Sequence, residues 1–319
     1  MKLKSIYLLL VPALLSVSCS SDPEQSGSER VPIKLHASGD GTVTTKADQT
    51  ITESFETTVF ASMRDGDYTG LSAPSADYEW MKDTKVETNG TVSLPGDPAY
   101  PEDGSWIYLT AVSPQVSSSY QSAAGTVSYT LTGQDNLMYA RQIKGNRWDG
   151  LRFSNNTNSV VTPLEYTHLL TQLTFKAKKK VNTGLTVKVK KISVTAPNSA
   201  TLTLADGKTS FIGNSELSVT FPDGGTEISG TDDTDLTGNL LLPPQKPGDE
   251  SYKITVETSI GTFKDLSISL ASTGSSTSFA QGTSHEITLN IGDKELGISS
   301  VAVTEWTTVA QGSDLDLID

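Results

Sequence analysis

Cysteine occurs once in the 319 residues, at position 19, and histidine three times, at 36, 168 and 285. So sparse a set excludes zinc ribbons, His- or Cys-rich metal centres and any disulfide within the chain. Basic residues are also in deficit: 24 Lys and Arg stand against 37 Asp and Glu, for a net charge of −13. That balance excludes nucleic acid as a partner, because phosphate binding needs clustered positive charge. No apolar run approaches the length of about 18 residues that crosses a bilayer as a helix. Helical periodicity is equally scarce, and residues 78–83 and 135–144 are the best candidates for short helices.

The residues in excess are small hydroxyls: 40 Ser and 41 Thr, about a quarter of the chain. Sheets with one wet face use such residues at every second position. From Val31 onward the dominant pattern has that period, as in Ile33-Leu35, Val59-Ala61, Val127-Tyr129, Leu173-Phe175-Ala177, Val187-Val189, Leu217-Val219-Phe221, Ile254-Val256 and Ile287-Leu289-Ile291. Each run is short and bounded by Gly, Pro, Asn or Asp, which predicts strands and an all-β chain. Length predicts about two domains. A polar stretch between Arg152 and Tyr166 places their boundary near 163, giving 31–163 and 164–319.

The first 30 residues read differently. Lys2 and Lys4 precede an apolar run from Ile6 to Leu15 and a small-residue segment at 16–18. This is a secretory signal, too short to span a bilayer. With Cys19 directly behind it, residues 1–18 resemble a bacterial lipoprotein signal, after whose removal the cysteine carries lipid. The exported form then has 301 residues and a charge of −15, since two lysines leave with the signal. Residues 19–30, polar and without aromatics, read as a flexible tether.

Catalytic constellations are weak. No G-x-S-x-G elbow accompanies the histidines, and nothing in the spacing of the carboxylates selects a pair, so no enzyme and no cofactor is expected. Asp232, Asp233, Asp235 and Asn239 could bind Ca²⁺ weakly but read better as a surface turn. Lys176, Lys178 and Lys180 share one face of a strand, and with Lys179, Lys188, Lys190 and Lys191 they put seven of nineteen lysines in two strand candidates. The expectation is a solvated face that protects a sheet edge, with an anionic glycan or lipid headgroup site as the alternative. Trp80 and Trp148 fall in loop-like stretches and are the candidate aromatics for contacting a ligand, against the alternative that they are core. Trp306 ends the last alternating strand and is expected in the core.

Several landmarks together resemble the fimbrillin-like (major fimbrial subunit) lipoproteins of Bacteroidetes. Val43 to Ala47 followed by Ser54-Phe55-Glu56 and Val59-Phe60-Ala61 is similar to that family's opening, with Thr57-Thr58 where Gly-Asp is usual. Leu137 to Ala140 and the stretch from His168 to Phe175 resemble its mid-chain segments. Residues 279–291 followed by 298–306 resemble its closing pattern, with His285 in place of an aromatic.

The resemblance implies two tandem antiparallel β-sandwich domains of transthyretin-like topology, a place on the outer membrane and cell surface, and assembly into a fimbrium, or pilus. It also implies that a trypsin-like protease cuts after a basic residue and frees the first strand, whose groove then takes a strand from another subunit. Residues 31–37 supply such a strand and Lys46 such a site; a cut at Arg30, the other candidate, leaves the strand attached. The expected partners are other pilus subunits, the outer membrane through the lipid, and a host or bacterial surface glycan or protein. Residues 307–319 contain Leu315 and Leu317 among aspartates and are borderline as a donor strand, so a tip, anchor or accessory subunit fits as well as a stalk. The alternative from another class is a monomeric surface glycan-binding lipoprotein.

Overall fold

The computed structural model describes residues 30–39, 51, 53–71, 77–116, 118–154, 162–181, 184–245, 251–270, 278–292, 295–304 and 306. Among them there are strands and no helix. The first nine strands are β1 (Leu35–Gly39), β2 (Phe55–Ser62), β3 (Trp80–Val86), β4 (Thr91–Val92), β5 (Ile107–Ser113), β6 (Tyr120–Gln121), β7 (Thr126–Thr130), β8 (Met138–Gly145) and β9 (Leu164–His168). Then follow β10 (Thr171–Lys179), β11 (Val187–Ala196), β12 (Ser199–Thr203), β13 (Thr209–Ile212), β14 (Ser215–Thr220), β15 (Thr226–Ile228) and β16 (Thr234–Leu242). The last four are β17 (Ser251–Thr258), β18 (Gly261–Ser269), β19 (Ser284–Ile291) and β20 (Leu296–Thr304).

The two stretches predicted as short helices are strands. Residues 78–83 lead into β3, and 135–144 hold most of β8. β3 alternates loosely because Thr84 turns inward, its hydroxyl donating to the Ser93 carbonyl at 2.6 Å. β8 loses its alternation at a bulge opposite Leu109 and Ala111.

The early strands close into a seven-stranded barrel in the order β1-β4-β3-β2-β5-β8-β9, with β9 returning to β1. A two-sheet antiparallel sandwich was expected here. The difference comes from β1, which pairs antiparallel with β4 on one side and parallel with β9 on the other. Val59, Ala61, Leu109 and Ala111 fill the barrel together with Ile33, Leu35, Leu164 and Tyr166. The opposite face of the same wall presents Phe60 and Val112 to a second, larger core. β2 is therefore buried on both faces from Thr57 to Ser62.

That second core lies between the sheets β16-β10-β19-β20 and β14-β11-β17-β18. Phe175, Leu240 and Ile287 of the first sheet share it with Val189, Val194, Leu217 and Ile254 of the second, as in a β-sandwich. A hairpin of β12 and β13 leaves the sandwich and adds to β7 and β6, in the order β13-β12-β7-β6. Chain from both sides of residue 163 thus shares one sheet and one core.

A loop from the early part closes the sandwich along one side. Thr132 O accepts from Ser218 N at 3.2 Å, and Gly133 O accepts from Leu241 N at 2.8 Å. Gln134 Nε2 donates to the carbonyls of Ser218 and Asn239 at 3.1 and 2.9 Å. The edges of β14 and β16 are therefore covered. Gly133 has φ +97, and a Cβ there would lie 2.7 Å from Leu240 Cδ1. Gly133→Ala is expected to cost about 1–3 kcal/mol in urea unfolding. Gly66→Ala, at φ +67 in open space, is expected to cost about 1 kcal/mol or less.

Candidate functional site

The first strand and the groove that holds it form the best-defined candidate site. Alternation dictates which side chains it buries: Ile33, Leu35 and Ala37 are 6%, 2% and 9% exposed, while Lys34 points outward. At full burial each large aliphatic contributes about 1.5–3 kcal/mol. The backbone is held along its length. Val31 O accepts from Tyr100 N at 3.0 Å, Ile33 N donates to Pro98 O at 2.8 Å, and Ala37 N donates to Gly90 O at 2.7 Å. Leu35 stands opposite Val92, and Ala37 to Gly39 run beside Leu164 to Tyr166.

The close approach at Ala37 depends on the Asn89-Gly90 turn. A Cβ on Gly90 would sit 2.6 Å from the Ala37 carbonyl oxygen. On the other flank His36 Nδ1 lies 3.4 Å from Ser154 Oγ. Tyr166, fully buried, fixes β9 through its hydroxyl, 2.8 Å from Thr57 Oγ1, and burial raises its pKa. The alternation of Leu164, Tyr166 and His168 carries the signal for β9, which the sequence reading did not use.

Of the sequence-derived site residues, Cys19 and Lys46 lie outside the described residues. Arg30 is exposed, just ahead of the strand. Trp80 is 4% exposed, its ring inside the barrel core with Lys82 Nζ 5.5 Å from the centroid. Trp148 is 55% exposed. Its loop is tied down, with Asn146 Oδ1 accepting from Trp148 N at 3.0 Å, Arg147 5.6 Å over the ring, and Gly104 against the indole edge. Nothing brings Trp80 and Trp148 together as one platform.

The lysine row is not at an edge. β10 and β11 are interior strands, and carboxylates from neighbouring strands answer their lysines. Lys176 lies 3.1 Å from Glu286 and 3.7 Å from Asp235, Lys178 lies 3.0 Å from Asp233, and Lys180 and Lys191 pair with Glu295 and Glu216. The Glu216 carboxyl is held below its usual range by Lys191. Edge protection is thus corrected to cross-strand pairing, because strands remote in sequence flank these lysines on both sides. Asp233 and Asp235 serve this ladder, and no group of three or more His, Cys, Asp or Glu among the described residues is placed to hold a metal ion.

Residues 42–306 match the sequence family described as fimbrillin-like. The chain belongs to the fimbrillin-like family. No curated protein sequence matches it. Among solved structures, one described as a cell adhesion protein from Bacteroides ovatus is 14% identical, with a TM-score of 0.55 over 88% of this chain and 99% of that one. Another so described, from Bacteroides uniformis, is also 14% identical, with a TM-score of 0.52 over 87% and 99%. At that identity the likeness is one of fold. In this fimbrillin-like fold, the family's closing Trp306 stacks on His168, the ring centroids 3.9 Å apart at 19°, while His168 Nδ1 lies 2.8 Å from Asn136 Oδ1. His285, in the place of the usual aromatic, packs edge-on to Phe279 at 4.7 Å, with Nε2 2.9 Å from Thr283 Oγ1.

Both histidines are buried, and burial pushes each pKa down to about 4 from 6.5. Between those values the unfolded chain binds protons that the folded chain refuses. Stability is therefore whole above pH 6.5 and falls as pH drops toward 4, by on the order of 3 kcal/mol per histidine. His168→Phe keeps a ring against Trp306 and removes one titration. Urea unfolding at pH 7.5 and 4.5 is expected to show a smaller acid loss in this variant than in the parent chain.

Proposed function

We propose that this fimbrillin-like chain is a fimbrial subunit or surface adhesin, tethered to the outer membrane through lipid on Cys19 and assembled by exchange of its first strand. The lipid carries the precursor to the membrane; proteolysis after Lys46 then removes residues 19–46, and with them the lipid and β1, from the barrel. The observation that carries this reading is the position of β1, paired on both sides and burying Ile33, Leu35 and Ala37 in the barrel core. Its loss leaves unpaired backbone groups on β4 and β9 beside an uncovered core, and a strand from another subunit satisfies both.

Two tandem domains of transthyretin-like topology, 31–163 and 164–319, belong to the same proposal. Two hydrophobic cores support it, although the larger one draws on residues from both halves, such as Phe60 and Phe175, and β9, which begins at Leu164, goes with the barrel. Family membership and the likeness to adhesion proteins support the surface role.

Limited trypsin digestion of the chain from residue 20, followed by mass spectrometry and electron microscopy, tests the mechanism. A cut after Lys46 and concentration-dependent polymers are expected, and Lys46→Ala is expected to abolish both. The exposed Trp148 favours a second reading, a monomeric surface glycan-binding lipoprotein. An uncut, monomeric chain that binds polysaccharide, and loses that binding in Trp148→Ala, supports the second reading over the first. Cys19→Ala is expected to release the protein from the membrane fraction; retention there overturns the lipid anchor.

A further inference from the structure

Where β5 begins and β8 ends, the barrel carries aromatic side chains that neither core uses. Ile107 stands opposite Gly145 there. Trp106 is half-buried and Trp148 is 55% exposed, and neither belongs to the barrel core or to the larger one. Each indole has a cation over its face: Lys144 Nζ lies 5.0 Å from the Trp106 centroid and Arg147 lies 5.6 Å from that of Trp148. The Trp148 ring rests on Gly104, where a Cβ would come within 2.6 Å of Nε1. Only two residues, no more than about 7 Å of chain, separate Gly104 from Trp106.

The loops that hold these rings are internally bonded and joined to each other. Asn146 N donates to Leu151 O and Leu151 N to Trp148 O, each at 3.0 Å, while Arg147 Nη1 donates across to the Glu102 carbonyl. Two nearby carboxylates are engaged. Asp103 accepts from Ser105 N and Oγ at 2.9 and 2.8 Å, and Asp149 lies 3.0 Å from Arg152. Lys144 is exposed and, unlike Lys176 and Lys178, pairs with no carboxylate among the described residues. That is notable in a chain with 37 acids to 24 bases.

From these features we infer that Trp106, Lys144 and Trp148 form a binding site for an acidic glycan, a chain of pyranose sugars bearing carboxylates, with Arg147 holding Trp148 in position. The C–H face of a pyranose lies flat on an exposed indole, and the carboxylate of an adjoining sugar meets the Lys144 ammonium in a charge-assisted hydrogen bond. A neutral sugar leaves that ammonium unanswered, and a simple anion leaves the indoles uncovered, so the two features select together. Bonded loops also lower the cost of ordering the site when ligand arrives. The inference deepens the surface-adhesin reading by naming a ligand class, and it rests on that reading for access to glycans outside the cell. It holds equally for a chain that is cut and polymerises and for one that stays monomeric.

The test uses the chain from residue 20 carrying Lys46→Ala, so that neither lipid nor cleavage-dependent polymer enters. Isothermal titration calorimetry is run with polygalacturonate and alginate, and with methyl-esterified polygalacturonate as the uncharged counterpart. A net charge of −13 repels polyanions overall, so saturable binding reports a local site. Binding of an acidic polymer is expected to exceed that of the ester and to weaken as salt rises. Lys144→Gln and Trp148→Ala, both outside the cores, are each expected to weaken it about tenfold while leaving the urea midpoint unchanged, and Lys144→Arg is expected to retain it. Absence of binding to both acidic polymers overturns the inference. Equal binding of acid and ester overturns it in favour of a neutral glycan, and binding indifferent to Trp148→Ala overturns it in favour of diffuse charge attraction. Membrane release and polymer formation are read in separate assays, so failure of the adhesin reading there leaves this titration standing.

Discussion

Everything in the barrel depends on one strand satisfying two edges at once. A sheet edge buried beside a core must find partners for its backbone groups. β4 offers two residues of edge and β9 five, in opposite directions relative to β1. A short segment that reads antiparallel on one side and parallel on the other is what allows seven strands to close. The core then needs only the inward residues of that segment to be sealed, and Ile33, Leu35 and Ala37 provide them. This makes β1 necessary for closure of the barrel.

The remaining architecture ties that barrel to a sandwich. β2 is the shared wall, with Val59 and Ala61 on one core and Phe60 on the other. The β12–β13 hairpin crosses to pair with β7, and the 132–135 loop crosses back to cover β14 and β16. The cross-strand charge ladder on β10 belongs to the outer face of the β16-β10-β19-β20 sheet, where paired lysines and carboxylates contribute little energy individually but keep like charges from facing one another.

Much of this was legible as alternation. The runs around Val59, Val127, Phe175, Val189, Val219, Ile254 and Ile287 are all strands, because a half-buried strand writes its burial into every second residue. The pattern fails where the physics of a second neighbour intervenes. β8 is interrupted by a bulge, β3 turns a threonine inward to bond Ser93 O, and β5 is buried on nearly every residue because it too stands between two cores. Short strands such as β4 and β15 have too few residues to show a period at all.

The residues by themselves determined the class of the chain: all-β, without a thiol in its folded part, with an aliphatic first strand and with Lys176 and Lys178 on one face of β10. They also carried the family pattern, since its landmarks are local in sequence. Which strand is an edge was decided by the tertiary structure alone, because edge or interior is a property of the neighbours and not of the strand. Lys176 looked solvated until Asp235 and Glu286 arrived from distant strands, and Trp80 looked loop-borne until the barrel closed over it. For the same reason β1 became a closing strand only when Val92 and Leu164, far apart in the chain, were brought to its two sides.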